Sequence, residues 1–148
     1  MNRPCSEPEP ERVVLDTNTV LDCLVFRDPA AGVLATALAT GAVRWMACPS
    51  MPRELERVLG YGRLGRWTPN SECVLASFDA YACMVAEPPA PSPGPRCTDP
   101  DDQVFIDLAL AERARWLVSR DRAVLKLERH ARARGLRIVP PARWRTAD

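Results

Sequence analysis

Two acidic residues of this chain stand at the ends of short apolar runs. In "VVLDTNTVLD", Val13-Val14-Leu15 has the apolar, β-branched character of a buried strand, and Asp16 follows it at a Thr-Asn-Thr turn into a helix. "WLVSRD" repeats that grammar and places Asp121 behind a second strand, beside another helix start. Open α/β sheets carry out their chemistry at the carboxyl ends of strands. Two more acids fall on helical stripes. In "PSMPRELERVLGYG" the apolar residues Met51, Leu55, Val58 and Leu59 recur at helical spacing with Glu54 among them, which predicts a carboxylate on the buried face; Arg53, Glu56 and Arg57 lie off the stripe. In "TDPDDQVFIDLALA", Asp102 shares a face with Ile106 and Ala109 and is expected to point toward the core.

Each acid also has a simpler reading. Glu54 at a stripe edge can snorkel outward or pair with an arginine, since an unpaired buried carboxylate costs several kcal/mol. Asp99 reads as an N-cap with Pro100 in the first helical position, and Asp101 and Asp102 suit the positive end of the helix dipole. Asp121 can cap the helix that follows it. What favours chemistry is convergence: four carboxylates in one crevice repel one another unless a hard cation sits among them. Oxygen ligands without imidazole or thiolate indicate Mg²⁺ or Mn²⁺, and such a site activates water and steadies charge on a phosphodiester.

Other chemistries lack their parts. His130, the single histidine, lies on a basic helix as a solvated residue, so a serine or cysteine nucleophile has no base. No glycine-rich phosphate loop is present. The six cysteines show no paired C-x-x-C spacing, which leaves zinc and redox motifs unsupported and predicts reduced, mostly buried thiols.

The elements that must position these acids follow from the pattern. The chain has 148 residues, 47% of them apolar and 26% charged, enough for one domain with a real core. Residues 1–11 read as a loose polar tail ahead of a domain over 12–148. No apolar run approaches a membrane span and the amino terminus lacks the form of a signal peptide, so a cytoplasmic protein is expected. Strands are expected at Val13–Leu15, Ala42–Cys48, Arg115–Ser119 and Leu136–Val139. Helices are expected up to Phe26, over Ala30–Thr40, after Pro49, over Ser71–Ala86, from Asp99 to Ala114 and over Arg122–Arg134. "EPPAPSPGP", Glu87–Pro95, is an internal loop. Alternating strands and helices predict a three-layer α/β/α sandwich around a central, mostly parallel sheet. Net charge is +1, but from Arg113 onward ten arginines and Lys126 face only Asp121, Glu128 and Asp148. Polyanion binding and an ordinary arginine-coated surface both account for this.

The stretches "VVLDTNTVLD", "PRELERVL", "DPDDQVFIDLALAERARWLVSRD" and "IVPPARW" resemble the PIN-domain family, in particular its VapC-like branch of toxin ribonucleases. The resemblance implies Asp16, Glu54, Asp102 and Asp121 as catalytic metal ligands for Mg²⁺ or Mn²⁺, with Asn18 and Ser119 supporting them and Asp99 and Asp101 as possible additional acids. It implies cleavage of single-stranded RNA, a cognate antitoxin protein, assembly as a homo-oligomer and no membrane. Arg120, Arg122, Arg132 and Arg134 become candidate contacts for RNA phosphates. Two positions depart from the pattern: Ala123 stands where relatives often carry a second late acid, and Cys48 where they tend to carry serine. A catalytically weakened RNA- or protein-binding module therefore stays open as an alternative. A phosphatase of the haloacid dehalogenase type would want an acid in place of Asn18 as proton donor.

Overall fold

The computed structural model describes residues 9–60, 70–89 and 94–145. Five strands form the sheet: β1 Glu11–Leu15, β2 Val43–Ala47, β3 Ala82–Met84, β4 Trp116–Val118 and β5 Arg137–Val139. Their order is β3-β2-β1-β4-β5, and every pair is parallel. Seven helices are described: α1 Thr17–Leu24, α2 Gly32–Thr40, α3 Ser50–Gly60, α4 Ser71–Tyr81, α5 Gln103–Ala111, α6 Arg122–Leu125 and α7 Glu128–Arg132. The three-layer α/β/α architecture is the one that the alternating pattern predicts. Its sheet is parallel throughout.

The sheet is buried on both faces at its central strand β1 and the neighbouring β4. Successive strand residues point to opposite faces, yet Val13, Val14 and Leu15 are all at most 1% exposed, as are Leu117 and Val118. Trp45 of β2 packs edge-on against Phe78 of α4 with ring centroids 4.6 Å apart, and Trp144 packs on Trp116 at 6.3 Å. Trp45, Phe78 and Trp144 are among the largest fully buried side chains of the core.

Four departures from the sequence pattern are seen, one of them in the helix expected from Asp99 to Ala114, which opens as a 3₁₀ turn over Pro100–Asp102 and continues as α5 only to Ala111. The helix expected over Ser71–Ala86 stops at Tyr81, and Ala82–Met84 forms the edge strand β3 beside β2. Nothing local marks "ACM" as a strand; the open edge of β2 recruits it, and Val85 N–H extends the pairing to Ala47 C=O at 2.8 Å. The helix expected over Arg122–Arg134 is two short helices broken at Lys126–Leu127. β1 begins at Glu11, while residues 1–8 of the expected tail, like 90–93 of the proline-rich loop, lie outside the described residues.

Glu128 explains why α7 breaks away from α6. Its carboxylate accepts from Arg132 at 2.9 Å, from Arg137 at 3.0 Å and from the backbone N–H of Ile138, which docks α7 onto β5. These bonds hold its carboxyl below the usual range even though burial opposes its charge. Glu128→Ala should cost about 1–3 kcal/mol, the worth of hydrogen bonds to a charged group, measured as a lower urea midpoint with unchanged slope.

Candidate metal centre

The strand order reverses direction at β1. From β1 the chain builds β2 and β3 on one side, then returns to place β4 and β5 on the other. A crevice opens at such a switch point, outside the carboxyl ends of the two central strands. Here β1 and β4 pair with Leu15 opposite Val118, so the residues that follow each strand are delivered to one place.

Asp16 leaves β1 and caps α1. Its Oδ1 accepts from Thr19 N–H at 2.9 Å and its Oδ2 from Ser119 Oγ at 2.5 Å, and the residue is 3% exposed. Burial pushes its carboxyl up, against the pull of these hydrogen bonds, with the charge of Asp121 adding a smaller upward push. Ser119, wholly buried at the end of β4, also accepts from Asp121 N–H at 3.0 Å. Asp121 in turn caps α6, its Oδ1 accepting from Ala123 N–H at 2.8 Å. Thr19 completes the joint by donating its hydroxyl to Val118 C=O at 3.0 Å. Nothing in the sequence distinguishes Thr19 from its neighbours, whereas Asn18, which the family motif points to, is exposed and lines the cleft wall.

The third side comes from the turn before α5. Asp99 caps a 3₁₀ turn at Pro100–Asp102 through Asp101 N–H at 3.0 Å. Asp102, at the end of that turn, caps nothing. Its Oδ2 is buried without a hydrogen-bond partner, and burial together with the facing carboxyl of Asp121 pushes its pKa up to about 7; Asp99 and Asp16 add to the effect. One carboxylate oxygen each from Asp99, Asp102 and Asp121 lie within 4.8 Å of one another.

Glu54 behaves differently from the stripe argument. Its side chain is 45% exposed and pairs with Arg57 at 3.2 Å, so it lies on the cleft wall and not in the core. Position 54 is at the edge of the apolar arc of α3, and that edge borders the crevice. The amino end of α3 is held by Glu87, which follows β3 and accepts from both the N–H and the hydroxyl of Ser50. Together these walls enclose a cleft of about 440 Å³ lined by Asp16, Asn18, Glu54, Asp99, Asp101, Asp102 and Asp121. Arg57 is the only cation among the described lining residues.

A family model for the PIN domain matches residues 12–123. The chain belongs to the PIN-domain family. A comparison with curated proteins finds no match. PIN domains are in general metal-dependent nucleases, and this one carries an acidic cluster suited to a metal ion. The donor set fits: carboxylate oxygens alone, one of them a buried atom with no partner. Ala123, at the departure from the family pattern, spends its N–H on Asp121 and its C=O on the Cys97 thiol at 3.5 Å. Cys48 is buried 3.6 Å from Ser50 Oγ, and burial drives its thiol to about 11. The cysteines are less uniformly hidden than expected, for Cys73 and Cys83 are exposed on α4 and the edge strand β3.

The four candidate RNA-binding arginines do not line the acidic cleft. Arg120 pairs with Asp22, Arg132 pairs with Glu128, Arg122 is exposed on α6, and Arg134 borders a separate cavity with Arg113. No single helix among the described residues is long and apolar enough to cross a membrane.

The raised pKa of Asp102 sets a pH dependence. Between the unfolded value of 3.8 and the folded value of about 7 the native state binds more protons than the unfolded chain, so this group makes metal-free stability fall as pH rises across that window. Asp102→Asn should remove that fall. Thermal melts in EDTA from pH 4 to 8 should show the variant gaining on the wild type as pH rises, with the two closest at pH 4.

Proposed function

We propose that this PIN domain is a metal-dependent endoribonuclease that cleaves single-stranded RNA, acting as the toxin of a toxin–antitoxin pair. The observation that carries the nuclease reading is the buried, unpartnered Oδ2 of Asp102 facing Asp121 in an all-carboxylate cleft. Asp16, Asp102 and Asp121 are assigned to hold Mg²⁺ or Mn²⁺, with Glu54 on the cleft wall and Asp99 at the cluster as further ligands. When bound, the ion supplies a water of lowered pKa and a counter-charge for the phosphodiester.

The chain's own residues prepare that chemistry. Ser119 and Thr19 N–H hold Asp16 in one orientation, and Ser119 also holds the backbone of Asp121. In the metal-free protein burial and the charge of Asp121 push the Asp102 carboxyl up to about 7, which favours its uncharged form and so eases repulsion in the cleft. Glu54 and its partner Arg57 stand together on the cleft wall, which places a guanidinium beside the pocket. Asn18 and Asp101 line the approach. The toxin role, the cognate antitoxin, assembly as a homo-oligomer and a cytoplasmic location rest on the resemblance of the four motif stretches to VapC-like proteins. Arg122, Arg132 and Arg134 are proposed as peripheral contacts for RNA leaving the cleft.

Ala123 supports a second reading, a PIN module that binds RNA or protein with weakened catalysis. One assay separates the two. Purified protein with Mn²⁺ should cut unstructured RNA to 3′-hydroxyl and 5′-phosphate ends, and EDTA should stop it. Cyclic 2′,3′-phosphate ends would overturn the mechanism, and binding without cleavage would favour the second reading. Asp102→Asn and Asp121→Asn should abolish cleavage, whereas Asp101→Asn should leave most of it.

Metal should also stabilise the fold. At a hundredfold excess of Mn²⁺ over Kd the gain is about 2.7 kcal/mol, read as a rise in melting temperature. Asp121→Asn should lose most of that rise.

A further inference from the structure

Four hydrogen-bonded ties join Asp16 and α1 to the end of β4 and the turn that leaves it. Three lie at the floor of the cleft: Asp16 N–H to Val118 C=O at 3.3 Å, Thr19 Oγ1 to the same carbonyl at 3.0 Å, and Ser119 Oγ to Asp16 Oδ2 at 2.5 Å. The fourth is larger and further out. Arg120 reaches back across α1 and grips Asp22 with two bonds, Nε to Oδ2 at 2.8 Å and Nη2 to Oδ1 at 3.0 Å. The Asp22 side chain is 4% exposed and that of Arg120 54%, so a surface cation is anchored on a buried acid. A planar bidentate pair of this kind fixes orientation as well as distance.

Arg120 directly precedes Asp121, whose carboxylate lies within 4.8 Å of those of Asp99 and Asp102 and whose charge is felt at Asp16. Like charges this close repel one another when no cation lies between them. The Ser119 hydroxyl restrains the backbone of Asp121 from inside, and the Arg120–Asp22 pair restrains the same turn from outside. The guanidinium is also committed: it is bound to Asp22 and does not line the cleft, which argues against its service to an RNA phosphate.

We propose that Arg120 is a positioning residue, which by gripping Asp22 on α1 sets the spacing of Asp121 from Asp16 and Asp102 on which divalent-cation affinity depends. This rests on the metal-centre reading above. The loss on breaking the pair is that of a group which orients a ligand, about tenfold in metal affinity at the lower end of the usual range.

The test is calorimetric titration of the full chain with Mn²⁺ alone, for the wild type, Arg120→Gln and Arg120→Lys. Arg120→Gln should bind Mn²⁺ about tenfold more weakly, and Arg120→Lys should recover part of the loss through a single contact to Asp22. The salt dependence of RNA binding should keep its slope in both variants, since no phosphate contact is removed. Far-UV circular dichroism checks that the fold persists, and melts in EDTA read the stability lost when Asp22 is left buried without its partner, a loss separate from Mn²⁺ affinity. Equal Mn²⁺ affinity in wild type and Arg120→Gln overturns the proposal, whether or not stability falls. A salt slope reduced by about one at unchanged Mn²⁺ affinity also overturns it, in favour of a phosphate contact. A wild type that binds no Mn²⁺ overturns the metal-centre reading and this proposal with it.

Discussion

The hydrogen bond from Ser119 to Asp16 joins residues 103 positions apart, and the cleft is organised around it. It exists because β1 and β4 are parallel neighbours paired with Leu15 opposite Val118. Parallel strands end at the same edge of the sheet, so each chain turns into its helix at one level. Asp16 and Asp121 are thereby brought to the same crevice. Shifting the register by one residue would turn Ser119 to the opposite face and leave a buried carboxylate with one partner fewer.

Capping and metal binding look like competing explanations of these acids, but capping engages only one carboxylate oxygen of each. Asp16, Asp99 and Asp121 each spend Oδ1 on a backbone N–H at a helix or 3₁₀ start. A carboxylate has lone pairs to spare on its second oxygen. Each helix start thus orients an acid and partly offsets its charge. Asp102 is the exception: it caps nothing, and its oxygen is the one left buried without a donor. Burial, with the facing carboxyl of Asp121, pushes its pKa up to about 7.

The basic carboxyl third serves the fold as much as any ligand. Arg115 pairs with Glu11 and lies over the Trp116 ring, Arg137 lies over the same ring while bonding Glu128, and Arg120 is locked to Asp22. These arginines tie the late elements to β1, to each other and to α1. Net charge along a stretch of sequence says how much cation is present. It does not say how much has an internal partner.

By itself the sequence determined the layered α/β architecture, the strands β1 and β4, and the acids that follow them, because period-two and period-3.6 apolar patterns and capping residues are local signals. Family membership was legible in the same stretches, since the motif acids keep their order and neighbours. Only the tertiary structure decided that "ACM" is an edge strand, because its pairing depends on the free edge of β2 and not on its own side chains. It decided that Glu54 stands on the cleft wall with Arg57, since helical periodicity resolves a face only to a broad arc. It also decided the partner of Arg120. An ion pair spanning 98 residues is set by strand order, and strand order leaves no trace in the residues between.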